Sequence, residues 1–115
     1  LAIFDTQEEI LALHPDFNRI AALDTFAVIV SASGMDVDFV SRFFAPGAGV
    51  TEDPVTGSAH CTLVHYWAKH LGKSTLTARQ LSQRVGDLTC TLCGDRVMLS
   101  GQAVEYLRGE IAIGF

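Results

Sequence analysis

The sequence predicts a mixed α+β fold in which several largely antiparallel strands wrap or cover one long, mostly buried helix. Three observations carry that expectation. Apolar residues recur at intervals of three and four between about residues 56 and 71, the stripe of an amphipathic helix. Short β-branched or apolar runs stand on both sides of it, each bounded by turn formers. The 115 residues, 49% of them hydrophobic, suffice for a single domain spanning 1–115 with its own core.

The elements follow in order. Residues 1–4, Leu-Ala-Ile-Phe, read as a short buried strand. Thr6 and Glu9 then have capping-box spacing, in which each side chain reaches the other's backbone amide. Ile10, Leu11 and Leu13 continue that helix, which should stop near His14 because Pro15 disfavours helical geometry before it. Pro15 suits the first position of a second helix carrying Phe17, Ile20, Ala21 and Leu23. Residues 26–31 are a continuous β-branched run, expected as a buried strand. A turn at Ser33-Gly34-Met35-Asp36 leads to a further strand through Val37, Phe39 and Phe43-Phe44. Pro46, Gly47 and Gly49 open a loop that lasts through Pro54. In the long helix the stripe is Ala59, Leu63, Tyr66, Trp67 and His70/Leu71, with Trp67 expected in the buried seam and Gly72 as its stop. Strand-like runs follow at 74–81, 87–92, 96–100 and 104–113, with a hairpin turn at Cys93-Gly94-Asp95.

Composition excludes several function classes. The net charge is -5, and the basic residues are scattered, whereas nucleic-acid binding needs clustered Lys and Arg. No run of eighteen apolar residues exists, so no membrane span is expected. With a mean hydropathy of +0.30, surplus apolar surface is expected to pack against another domain or subunit. The three cysteines form no disulfide framework and fit a reducing cytoplasm. The opening residues lack a Met, a basic region and a cleavage site; they read as a chain entered mid-course on a strand, not as a signal peptide.

The chemistry concentrates in residues 51–60, TEDPVTGSAH. A helix N-terminus presents unpartnered amides and a partial positive charge, which suit a carboxylate or phosphate. Gly57 would let a ligand approach the backbone, Ser58 adds a hydroxyl, and Thr56 either caps the helix or donates outward. Asp53 lies just upstream, where it serves more naturally as an acceptor or orienter than as a proton donor. The same stretch also reads as an ordinary capping sequence, since Asp and Thr are favoured before helices for stability alone.

Other candidates are weaker. Cys90 and Cys93 have zinc-knuckle spacing, but a tetrahedral site needs two more ligands and the pair would face opposite sides of a strand. Cys61 and His65 stand one helical turn apart, so a thiolate–imidazole pair is geometrically available, although free cysteines are commonly just packed. His60, His65 and His70 recur every five residues, about 140° apart on a helix, and share no face for a metal. Of the three, His60 is placed to touch a ligand.

Longer motifs frame this stretch. Arg42-Phe43-Phe44-Ala45-Pro46, then residues 49–60, Tyr66-Trp67 and Gln80-Leu81-Ser82-Gln83-Arg84 together resemble the signature of the phenazine-biosynthesis, PhzF-like family. The resemblance spans essentially the whole chain and corresponds to the C-terminal half of such proteins. It implies a diaminopimelate-epimerase-like fold: two similar domains, each a barrel-like sheet around a central helix, with the active site in the cleft between them. It also implies cofactor-independent isomerase or epimerase chemistry, normally in a homodimer, acting by proton transfer on a small amino or hydroxy acid. By that resemblance Asp53 is a catalytic-site residue and Ser58 lines the same site; with the amide reading above, Thr56, Gly57, Ser58, Ala59 and His60 form the substrate-binding set. The principal acid/base Glu and a partnering His belong to the N-terminal half and have no counterpart here. The expected partners are a small anionic metabolite, the missing N-terminal domain and a second copy; no cofactor or metal is implied. A non-catalytic binding or dimerisation module of the same fold is the alternative. One departure stands out: the family usually has Arg-Gly-Gly where this chain has Arg84-Val85-Gly86, so Val85 would be strained if that position needs a positive φ.

Overall fold

A computed structural model of the chain describes residues 1–114. The elements are β1 (Ala2–Ile3), α1 (Gln7–Ala12), α2 (Phe17–Ala21), β2 (Val28–Ser33), β3 (Phe39–Phe44), a 3-10 turn (Pro46–Ala48), α3 (Gly57–Leu71), β4 (Thr75–Gln80), β5 (Gly86–Cys93) and β6 (Arg96–Ser100). The six strands form one sheet in sequence order. Pairs β1/β2 and β3/β4 are parallel, and β2/β3, β4/β5 and β5/β6 are antiparallel. The sheet is mixed and stays open, with β1 and β6 as its edges.

This topology dictates where the helices go. Each parallel pair needs a crossover, and crossovers are right-handed. Both advance across the sheet in the same direction, but β3 and β4 run opposite to β1 and β2. The same handedness therefore puts α1 and α2 on one face and α3 on the other. Two cores result. Phe39, Phe43, Leu76, Ala78 and Cys90 meet Ala59, Leu63, Val64 and Trp67 of α3; Val30, Ala32, Val40 and Phe44 meet Ile10, with Phe17 and Ile20 at the margin. Covered on both faces, β3 is buried at every position but Arg42, which explains its nearly unbroken apolar run. The Trp67 indole N–H donates to Ser31 Oγ at 2.9 Å, and that hydroxyl donates to Val40 O at 2.6 Å. The one polar group of the tryptophan is thus satisfied inside the core, as its burial requires.

Local signals match the structure at several ends. The Thr6–Glu9 capping box is formed. Gly72 ends α3 with a φ of +65°, and Gly94 carries +62° in the β5–β6 hairpin, both conformations that favour glycine.

Four expectations are corrected. The strand in residues 1–4, expected to be buried, is exposed at Leu1, Ala2 and Ile3, because β1 is an edge of the sheet. Pro15 precedes the second helix rather than opening it: Asp16 is the cap, accepting from the Arg19 amide at 3.1 Å, because a carboxylate satisfies a first-turn amide that proline cannot. Tyr66, His70 and Leu71, placed in the buried stripe, are exposed, since an open sheet covers only one side of the helix. Residues 104–113 form no strand; Val104, Tyr106, Leu107, Ile111 and Ile113 are 70% to 98% exposed. Strand propensity is present there, but a strand exists only with a neighbour to pair with, and among the described residues none lies alongside. No helix of the described residues is long and apolar enough to cross a membrane.

Candidate functional site

The loop from β3 to α3 is tied down at several points. The Asp53 amide donates to Phe43 O at 3.1 Å. Glu52 accepts a bidentate pair from Arg42, at 2.7 Å to Nε and 3.0 Å to the terminal nitrogen. The other end of that guanidinium donates to the carbonyls of Ile10 and Leu13, each at 3.0 Å, so one side chain closes the end of α1 and anchors the loop. Ser82 donates to Pro54 O at 2.8 Å and its hydroxyl receives the Val85 amide at 3.1 Å.

Gln80, at the end of β4, is fully buried. Its carbonyl oxygen accepts the Thr56 amide at 2.8 Å, and its NH₂ donates to Asp53 O at 2.7 Å and to Thr56 Oγ1 at 3.0 Å. Thr56 Oγ1 in turn donates to Asp53 Oδ2 at 2.5 Å. The hydroxyl is therefore used up between Gln80 and Asp53, and no side chain caps α3. Of the two local readings, cap or outward donor, neither describes it.

Each predicted residue has a definite place. Asp53 is partly buried, with Oδ2 held by Thr56 and no partner on Oδ1 among the described residues. Gly57 and Ser58 are exposed at the start of α3, while the side chains of Thr56, Ala59 and His60 are buried. His60 turns inward: its ring packs 5.9 Å from Phe39, its Nδ1 donates to Thr56 O at 2.7 Å, and Nε2 is buried without a partner. Burial pushes the imidazole below the ordinary histidine value, with the Thr56 carbonyl acting against that, so the ring is neutral and adds no charge to the helix end. The structure thus brings Asp53, Thr56, Gly57 and Ser58 together at one corner and sends His60 into the core.

Sequence reasoning missed Arg42, Glu52, Gln80 and Ser82 as the frame of this corner. Gln80 and Ser82 lie 24 to 28 residues from their partners, a distance that no local pattern reports. The only signal was their place in the Gln80–Arg84 block.

The family profile described as "phenazine biosynthesis-like protein" (PhzC-PhzF) matches residues 1–109. The chain belongs to this family. An uncharacterized isomerase of Pseudomonas aeruginosa is 51% identical over 113 residues, 98% of this chain and 43% of the relative. Among solved structures, a PhzF-family phenazine biosynthesis protein of Enterococcus faecalis superposes with a TM-score of 0.84 at 47% identity, covering 86% of this chain and 38% of that one. A putative PhzC/PhzF protein of Clostridium difficile gives 0.86 at 40% identity, covering 96% and 43%. The chain thus spans less than half the length of these family members.

Within the family frame, the Arg84-Val85-Gly86 departure has a visible cost. Val85 sits at a φ of +56°, a region β-branched residues avoid. At Gly86 a Cβ would lie 2.1 Å from Val55 Cγ2 and force that side chain to move, so the loop packs directly on the start of β5. Of the cysteine candidates, Cys90 is buried and Cys93 exposed. Burial, with a smaller push from Cys61, raises the Cys90 thiol to about 11, so it is an un-ionised core residue. Among the described residues no three His, Cys, Asp or Glu side chains converge to hold a metal.

Proposed function

We propose that this chain is one half of a cofactor-independent isomerase that moves a proton on a small amino or hydroxy acid in the cytoplasm. The first-turn amides of Gly57, Ser58 and Ala59, with the Ser58 hydroxyl, hold the substrate's anionic group. Asp53 orients the substrate's amine or hydroxyl through Oδ1, or assists the proton transfer. The principal acid/base comes from a further domain, and two copies of the whole protein pair.

The observation that carries this reading is the uncapped start of α3 beside a half-engaged carboxylate. Thr56 stands at the cap position with its hydroxyl turned away to Asp53, so the helix's partial positive charge is left for an outside anion. Packing within the chain does not demand glycine at 57, where a Cβ would meet only Leu99 Cδ1 at an ordinary 3.6 Å. A residue without a side chain leaves the backbone approachable. Kinship with a protein named an isomerase supports the reaction class.

Catalysis by proton transfer requires the acid or base within hydrogen-bond reach of the moving proton. The chain alone should therefore be inert. The test follows deuterium exchange from D2O into the α-carbon of a panel of amino and hydroxy acids, with the intact protein and with residues 1–115. Exchange by the intact protein only is expected; exchange by the isolated chain would overturn the division of labour. In the intact protein Asp53→Asn should fold normally and lose about 2–4 kcal/mol of transition-state stabilisation. An unfolded variant would make Asp53 a structural residue. A second reading, a non-catalytic binding or dimerisation module, is favoured by the exposed apolar residues 104–113, and would hold if no compound in the panel exchanges.

A further inference from the structure

We infer that Gln80 is a positioning residue that acts through Thr56 to fix the Asp53 carboxylate. The inference rests on the reading of Asp53 as a site residue. It follows from the direction of the hydrogen bonds. A primary amide NH₂ only donates and a carboxylate only accepts. Thr56 Oγ1 has a single proton. Because Gln80 Nε2 donates into that oxygen at 3.0 Å, the hydroxyl proton is forced outward, and Asp53 Oδ2 lies on its path. The amide carries a second proton, which binds Asp53 O at 2.7 Å, while its carbonyl oxygen takes the Thr56 amide at 2.8 Å. Both N–H donors of Gln80 are therefore used in a unique orientation, and both backbone and side chain of Asp53 are referenced to it.

The arrangement is directional, from strand β4 to the loop. A glutamine is the residue that can accept from one backbone amide and donate twice in the same plane. Methionine would keep its length and offer neither function. A glutamate, buried beside Asp53, would be held protonated and could still donate one hydrogen bond, so it does not stand in for methionine. Without the amide donor the Thr56 hydroxyl is no longer held in one orientation, so its bond to Oδ2 loosens and the carboxylate gains freedom to rotate. The released Thr56 oxygen can then do what a threonine at that position ordinarily does, and accept from an amide of the first turn.

The experiment uses the intact protein with carbon-13 aspartate. The shift of Asp53 Cγ is compared in H2O and in D2O, where a hydroxyl bound to the carboxylate transmits an isotope effect. The wild type should show the difference, Thr56→Ser should keep it, and Gln80→Met should diminish it. If Gln80→Met does not fold, Gln80→Leu serves the same end. An isotope effect of undiminished size in either folded variant would overturn the inference. Exchange into the α-carbon adds a second measure. The rate at saturation should fall about 100-fold, the cost of a misplaced group, while KM changes little. A loss confined to KM would also overturn it. Should the wild type exchange nothing in the panel, the isomerase reading fails, and the isotope effect still decides the role of Gln80.

Discussion

Two stretches of this chain lack regular structure and behave in opposite ways. Residues 51–56 are held by Arg42, Gln80, Ser82 and the Phe43 carbonyl. Residues 101–114 are exposed throughout, and among the described residues their one side-chain tie is internal, from Arg108 to Glu105 at 2.6 Å. The first is polar and carries Pro54, the second holds Val104, Tyr106, Leu107, Ile111 and Ile113. Composition alone would have ranked them the other way for order. What decides is where the backbone polar groups find partners. Buried side chains of other elements supply them to the loop, and nothing within the described residues supplies them to the tail.

The contrast can be broken most severely at Arg42. Arg42→Met strands the Glu52 carboxylate and two helix carbonyls in a setting where the pair is only 13% and 21% exposed. It should cost about 3 kcal/mol of unfolding free energy, read from urea denaturation. A loss below about 1 kcal/mol would mean that Gln80 and Ser82 hold the loop unaided.

A smaller effect comes with pH. The His60 value is lowered in the fold relative to the unfolded 6.5, so the unfolded chain binds more protons in mild acid. Its contribution to stability is complete above pH 6.5 and is lost as pH falls through that value toward the folded one. The slope should stay below the roughly 1.4 kcal/mol per pH unit that one fully coupled proton gives. Denaturation of wild type and His60→Asn between pH 5 and 8 measures it; equal slopes would assign the effect elsewhere.

Val85→Gly removes a left-handed β-branched residue and should stabilise by about 1 kcal/mol, seen as a higher denaturation midpoint. Destabilisation would show that the half-exposed Val85 side chain contributes more than its backbone costs. The smallest effect belongs to the tail: Leu107→Ser should leave the stability of this chain within about 0.5 kcal/mol. A larger loss would reveal contacts made in solution by residues that stand exposed here.

Much of the fold was legible because its cues are local. The Thr6–Glu9 box, Gly72 after α3 and the Gly94 turn each act within a few residues, and each is where the sequence puts it. The helix stripe was half right: Ala59, Leu63 and Trp67 are buried, but Tyr66 and His70 are not, because periodicity reports a face without reporting how much of it a sheet will cover. In the candidate site, the corner at Asp53 to Ser58 could be singled out from its turn formers and its place before the helix. The fate of the Thr56 hydroxyl could not. Local preference makes it a cap, and a strand residue 24 positions later captures it. Residues 104–113 failed for the same reason in reverse, since their β-branched character states a preference that only a distant partner can realise.

The lock on Thr56 has a kinetic side. Its ties join residues 10, 24, 27 and 28 apart, and closing long loops before any contact rewards them makes such pairings late events in folding. Both sheet halves must already be docked before Gln80 meets the loop. Weakening that amide should then hasten unfolding far more than it delays refolding. The corner on which the proposed chemistry depends should thus set late and come loose early.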